Sequence, residues 1–185
     1  MHIRFRSAQV WIETVLYTLI GLALIGIVLT FVMPRINEAK DKIVVEQTIA
    51  SLNAFDEKIQ MTLQAPGSRR RVDFTMKRGE FFINSSENMI IFVIRELVAP
   101  YSEPGIEISS GRVKLMTEET KKDFMITLKI GYNFNLTYAK EDKNKKFDAV
   151  SIPYTFFIEN LGDINANGNS VISIEEASGG WNDKH

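Results

Sequence analysis

The chain has 185 residues, 45% hydrophobic and 24% charged, which suits one medium-sized domain with one additional long element. Its net charge of −1 gives no indication of nucleic-acid binding, and the absence of cysteine excludes disulfides and thiolate metal sites. Since His2 and His185 are the two histidines, the common nucleophile–base pairs are missing, and we expect a protein that is not an enzyme.

Residues 14–33 form an apolar run without a charged residue. A helix of about 20 apolar residues is roughly 30 Å long, which is enough to cross a bilayer. A buried helix of a soluble protein is the alternative. The run exceeds the apolar region of a secretory signal, about 7–15 residues, and no small-x-small cleavage site follows it. We therefore expect residues 9–34 to form a helix that stays with the mature protein.

A short basic leader, residues 1–8, ends with the small residue Ala8 and is followed by Gln9 and then Glu13, before the apolar run begins. This order resembles the class III signal peptide of archaeal type IV pilins and archaellins. The resemblance covers roughly residues 4–35 and implies cleavage between Ala8 and Gln9 by a prepilin peptidase. It also implies that Glu13, the fifth mature residue, pairs with the Gln9 amine of a neighbouring subunit during assembly.

The leader also bears on membrane orientation. It carries Arg4 and Arg6 without an acidic residue, and the positive-inside rule then places this end in the cytoplasm. The expected location is the cell membrane, crossed once, with the remainder of the chain outside the cell. The expected partners are prepilin peptidase, other copies of this chain or related pilins, and membrane lipid.

Residues 35–68 change from an apolar to an amphipathic pattern. Apolar residues recur at spacings of three and four from Val45 to Leu63, with polar residues such as Asp56 between them. We expect one continuous or gently kinked helix from about Gln9 to Gln64, which Ala65-Pro66-Gly67-Ser68 ends. An independent coiled-coil stalk is the alternative, but a clean heptad seam is missing.

Residues 69–176 have a β period and form the predicted head. The predicted strands cover residues 71–77, 80–84, 89–94, 105–110, 112–117, 123–132, 134–139, 150–159 and 171–174. Residues 95–97 are interpreted as a short helical connection and residues 140–146 as a hairpin tip. The fold class is therefore α+β: a long hydrophobic N-terminal helix followed by an antiparallel, sandwich-like head. Residues 177–185 are predicted to be a flexible tail.

Two Asn-x-Ser/Thr triplets are candidate glycosylation sites, at Asn84 and Asn135. Such triplets also arise by chance. Asn84 is the preferred candidate because it lies beside a predicted turn, whereas Asn135 falls within a strand.

Residues 163–168 begin like a calcium-binding loop, with oxygen-bearing side chains at alternate positions before a glycine. The candidate ligands are Asp163, Asn165, Asn167 and Glu175. Because Glu175 falls one position late for the loop's closing ligand, any calcium binding would be weak, and no other cofactor is expected. An Asn/Gly-rich turn before a final strand is the alternative interpretation.

The leading functional hypothesis is a structural subunit of a type IV pilus-like surface filament, inserted in the membrane before assembly. The alternative is a single-pass, membrane-anchored extracellular binding module that does not polymerise. The sequence cannot separate the two, because an anchor helix and an assembly helix have the same composition.

Overall fold

The computed structural model describes residues 5–164 and 170–177. It has one α-helix, α1 (Phe5–Leu63), followed by a β-rich region. The predicted α+β fold, with a long apolar helix and a sandwich-like head of antiparallel sheets, is confirmed. The chain divides into two compact units, Met1–Lys40 and Asp41–His185, here called the N-terminal and the C-terminal unit.

Helix α1 continues through Pro34. A proline inside a helix lacks the N–H that would donate to the carbonyl four residues earlier, here that of Thr30. The helix nevertheless runs as a single element to Leu63, as expected from the apolar periodicity. It ends at the predicted stop, where Gly67 has a positive φ of 77° that glycine adopts without steric cost.

In the described part of the C-terminal unit, ten strands form two sheets. The strands are β1 (Arg69–Phe74), β2 (Glu80–Asn84), β3 (Met89–Leu97), β4 (Glu107–Ser110), β5 (Val113–Glu119), β6 (Phe124–Gly131), β7 (Asn135–Tyr138), β8 (Lys145–Asp148), β9 (Tyr154–Ile164) and β10 (Ser170–Glu176). Sheet A has the order β1-β9-β10-β7, and sheet B has the order β4-β5-β6-β3-β2-β8. All pairings are antiparallel except that of β7 with β10, which is parallel.

One core joins both sheets to the helical segment 41–63. The buried helical residues are Val45, Ile49, Leu52, Phe55 and Ile59. The ring of Phe55 makes edge contacts with Phe74 of β1, Phe81 of β2 and Phe156 of β9, at centroid distances of 5.6–5.7 Å. Phe55 therefore packs against strands of both sheets.

Two local predictions are wrong. Residues 95–97 are not helical: they extend β3, where a register irregularity lies between Ile94 and Leu97 and Glu96 has a φ of 59°. This is the geometry of a β-bulge, which a single sequence does not signal unless a glycine marks it. The predicted hairpin tip at 140–146 contains the start of β8, whose Phe147 is buried while its lysines face solvent.

Candidate functional site

The N-terminal unit exposes the apolar residues of α1. In residues 10–33, the large apolar side chains are between 39% exposed, at Val15, and 74% exposed, at Phe31. By length and composition α1 can cross a membrane, and none of its most apolar stretch is buried against the protein. Contiguous apolar surface of this size on a soluble protein marks contact with lipid or with another protein.

The threonine hydroxyl groups within this apolar segment are satisfied by the helix itself. Thr14 donates to the carbonyl of Val10, Thr18 to that of Thr14, and Thr30 to that of Gly26, each over 2.9 Å. An unsatisfied hydroxyl would be costly outside water, whereas a hydroxyl bonded to the carbonyl one turn earlier is compatible with an apolar environment. The three threonines therefore do not oppose the transfer of the segment from water.

The predicted processing and assembly residues lie at the beginning of this segment. Ala8, Gln9 and Glu13 all belong to α1. The spacing of four residues between Gln9 and Glu13 corresponds to about one helical turn, roughly 6 Å along the axis. This spacing agrees with the requirement that the acid lie close to a new amino terminus at Gln9. Cleavage between Ala8 and Gln9 and the assembly role of Glu13 remain predictions.

The structure describes the backbone of two of the four candidate calcium ligands, Asp163 and Glu175. Asn165 and Asn167 lie outside the described residues, and Asp163 lies near the end of β9. Glu175 lies on β10 opposite Phe157, and its carboxylate accepts a hydrogen bond of 3.3 Å from Arg69. Six residues along β9 separate Phe157 from Asp163, a distance of roughly 15–20 Å.

Glu175 is therefore distant from Asp163 along the sheet. Within residues 10–162 and 170–177, no three His, Cys, Asp or Glu side chains are grouped to hold a metal ion. Calcium binding by the four candidates stays a prediction.

The two glycosylation candidates lie in different surroundings. Asn84 ends β2 in a turn, where its amide donates to Glu87 over 3.1 Å and Ser86 is exposed. Asn135 begins β7, but Thr137, which completes its triplet, is 4% exposed and donates to the carbonyl of Ile172. Asn84 thus remains the more accessible candidate in the folded chain.

Two carboxylates that fix the helical segment 41–63 to the sheets were missed by the sequence analysis. Asp41 accepts hydrogen bonds of 2.7 Å from both the Arg78 guanidinium and the Val98 backbone. Asp56 forms an ion pair of 3.0 Å with Arg112, although its own side chain is only 6% exposed. Asp56 precedes Ile59 by three residues, and this helical spacing was a usable sign that it shares the buried face.

Tyr132 lies beside the Asp56–Arg112 pair, and its ring centroid is 5.7 Å from the Arg112 guanidinium. Burial, together with the negative charge of Asp56, raises the pKa of the Tyr132 hydroxyl well above its ordinary value. The hydroxyl therefore stays protonated at physiological pH and acts as part of the packing.

Comparison with protein-family models, with curated proteins and with solved structures finds no match for this chain.

Proposed function

We propose that this chain is a structural subunit of a type IV pilus-like surface filament, inserted in the membrane before assembly. The observation that carries the proposal is the apolar segment at residues 10–33. Its large apolar side chains are 39–74% exposed, and it has no charged residue after Glu13. Burying this surface in lipid stabilises the chain by about 25 cal/mol for each Å² of apolar area that leaves water.

The membrane step rests on the length and the polarity of the segment. About 20 helical residues cover roughly 30 Å, which is the thickness of a bilayer's hydrocarbon core. The threonines are bonded to the helix backbone, so their hydroxyls enter the lipid already paired. Gly21 and Gly26 leave open space at the helix surface and favour close approach of a second helix.

The filament step rests on the residues that resemble the class III signal peptide. Cleavage before Gln9 generates an amino group one helical turn from Glu13, in the least polar part of the chain. A carboxylate there is costly in lipid and is favoured by pairing with a cation, which the amino terminus of a neighbouring copy supplies. The C-terminal unit, which has its own core, would then form the outer surface of the filament.

The test uses full-length protein expressed in a host that has a prepilin peptidase. We expect the mature chain to begin at Gln9, to be extracted from membranes only by detergent, and to appear in filaments sheared from the cells. Glu13→Ala should remain in the membrane fraction and be lost from the filaments. The matched control is Glu38→Ala, which removes an exposed acid of the same helix that pairs with Arg35.

The outcomes separate the two functions. A wild-type chain that is clipped and retained in the membrane but never enters filaments would establish the anchored, non-polymerising module instead. Normal incorporation of Glu13→Ala would contradict the proposed role of the carboxylate. A chain recovered without detergent and beginning beyond Pro34 would contradict both functions.

A further inference from the structure

A cavity of about 210 Å³ lies on sheet B, beside the end of β2. Phe82 of β2 is paired with Ile91 of β3 on one side and with Lys146 of β8 on the other. Each of these three residues precedes a buried residue of its strand, so their side chains lie on the face of the sheet turned away from the core. Three apolar and four polar side chains line the cavity, so it can contact a ligand that has both kinds of surface.

Asn84 belongs to the lining of this cavity. It follows Phe82 by two residues on the same strand, which places both side chains on one face, with Cα atoms about 7 Å apart. Asn84 also begins the triplet Asn84-Ser85-Ser86, the acceptor pattern for N-linked sugars, and Ser86 is exposed. A sugar attached to the amide nitrogen of Asn84 therefore starts at the wall of the cavity.

The turn that carries this acceptor is fixed by groups other than the amide nitrogen. The Oδ1 atom of Asn84 accepts a hydrogen bond of 3.1 Å from the Glu87 N–H. The Ser85 N–H donates to Oδ1 of Asn144 over 2.9 Å, and the Ser85 hydroxyl donates to the carbonyl of Lys143 over 2.8 Å. Attachment of a sugar to Nδ2 leaves all of these bonds in place and leaves one N–H on the amide.

We propose that Asn84 carries an N-linked sugar and that its first ring packs in this cavity against Phe82 and Ile91. A sugar ring has faces of C–H groups and a rim of hydroxyls. Phe82 and Ile91 are both half-buried and offer apolar surface to the C–H groups, and burying such surface contributes about 25 cal/mol per Å². The Lys146 ammonium lies 5.9 Å from the Phe82 ring centroid and can donate to the hydroxyl oxygens.

An attached sugar suits this cavity better than a free ligand, because the acceptor holds it beside the apolar surface. A tethered group has a local concentration on the order of millimolar, so even a weak contact is populated. The sugar also covers apolar surface that otherwise faces water. The inference rests on the membrane part of the proposed function, since N-linked sugars occur on chain segments that have left the cytoplasm.

Mass spectrometry of peptides tests the modification. The full-length chain is expressed in a host that has a prepilin peptidase and attaches N-linked sugars to exported proteins. We expect the peptide containing Asn84 to carry a sugar in the membrane fraction. Ser86→Ala keeps Asn84 but removes the triplet, and the sugar should be lost. The matched control is Ser109→Ala, which removes an exposed serine outside any triplet and should leave the sugar in place.

Enzymatic removal of the sugar from the folded chain tests the packing. Removal should lower the urea midpoint of the C-terminal unit in the parent chain. Phe82→Ser should abolish this shift, and Ile91→Ser, which is remote from the triplet in sequence, should reduce it. The matched control is Ile108→Ser on β4, where the side chain is 40% exposed, and the shift should equal that of the parent.

Two results would overturn the inference. One is an Asn84 without a sugar, and the other is a shift on sugar removal that Phe82→Ser and Ile91→Ser leave unchanged, because the ring then lies elsewhere. Cell fractionation separates this inference from the proposed function. An unmodified chain in the membrane fraction contradicts the inference alone, whereas an unmodified chain in the soluble fraction contradicts the proposed function as well.

Discussion

The two ends of helix α1 differ both in apolar content and in surroundings. In residues 10–33, Phe31 is 74% exposed. In residues 41–63, Phe55 is 1% exposed and contacts one phenylalanine in each of the two sheets. The difference follows from the pattern of residues, because the first segment is apolar on all sides and the second on one side. An all-round apolar helix needs a non-aqueous environment, whereas a one-sided helix needs one packing partner, which the sheets provide.

The largest effect should come from charge placed in the first segment. In the double variant Leu22→Asp, Leu24→Asp, each substitution should make the free energy of membrane insertion less favourable by roughly 3 kcal/mol. We expect the variant to move from the membrane fraction to the soluble or aggregated fraction on cell fractionation. Ile106→Asp, an equally exposed apolar position of the C-terminal unit, should stay in the membrane fraction. Unchanged membrane retention of the double variant would show that the apolar character of the first segment does not hold the chain in the membrane.

The next effect contrasts two phenylalanines of the same helix. Phe55→Ala should lower the free energy of unfolding of the C-terminal unit by about 3–5 kcal/mol, because it leaves a cavity among three aromatic rings. Phe31→Ala should change it by less than about 0.5 kcal/mol. Urea unfolding in detergent, followed by circular dichroism of the β signal, measures both. Equal effects would show that exposure in the structure does not report the contribution to folding.

A smaller effect contrasts two ion pairs. Arg112→Ala leaves the buried carboxylate of Asp56 without its cation, and we expect a loss of about 1–3 kcal/mol in unfolding free energy. Arg35→Ala removes a pair whose side chains are 82% and 48% exposed, and such pairs contribute about 0–1 kcal/mol. The same urea titration compares them. Arg112→Ala and Asp56→Asn combined should cost less than the sum of the single changes.

The smallest expected effect is a dependence on pH. A hydrogen bond from Lys146, with a further contribution from Arg95, lowers the pKa of Glu80 below its ordinary value of 4.5. Because the folded pKa lies below the unfolded one, this group stabilises the fold above about pH 4.5, and the contribution is lost as the pH falls through the lowered value. Glu80→Gln should make the urea midpoint less sensitive to acid. Adding Lys146→Met also removes the pair with Asp148, whose side chain is 71% exposed, and we therefore expect little further change.

The sequence predicted the elements whose periodicity is long and regular. The apolar run, the stripe from Val45 to Leu63 and most strands were recognised because local burial repeats with the period of the backbone. The Asp56 position and strand β8 were missed because polar residues in both were interpreted as solvated. Asp56 is buried by Arg112, which lies 56 residues further along the chain, and β8 is a strand because Phe147 fills the core.

The candidate sites were predictable to different extents. The apolar segment and the position of Glu13 at its start follow from the chain alone. The separation of Glu175 from Asp163 does not, since it depends on the register of β9 with β10. The cavity beside Asn84 likewise forms only when β2, β3 and β8 come together.

By itself, the sequence determined that this protein has a long apolar helix and a β-rich head, because periodicity and charge distribution act over a few neighbouring residues. The tertiary structure decided which carboxylates are buried, that β7 and β10 pair in parallel, and which strands lie beside Asn84. These features depend on contacts between residues far apart in sequence, and their energies are set by packing and desolvation that no local pattern records.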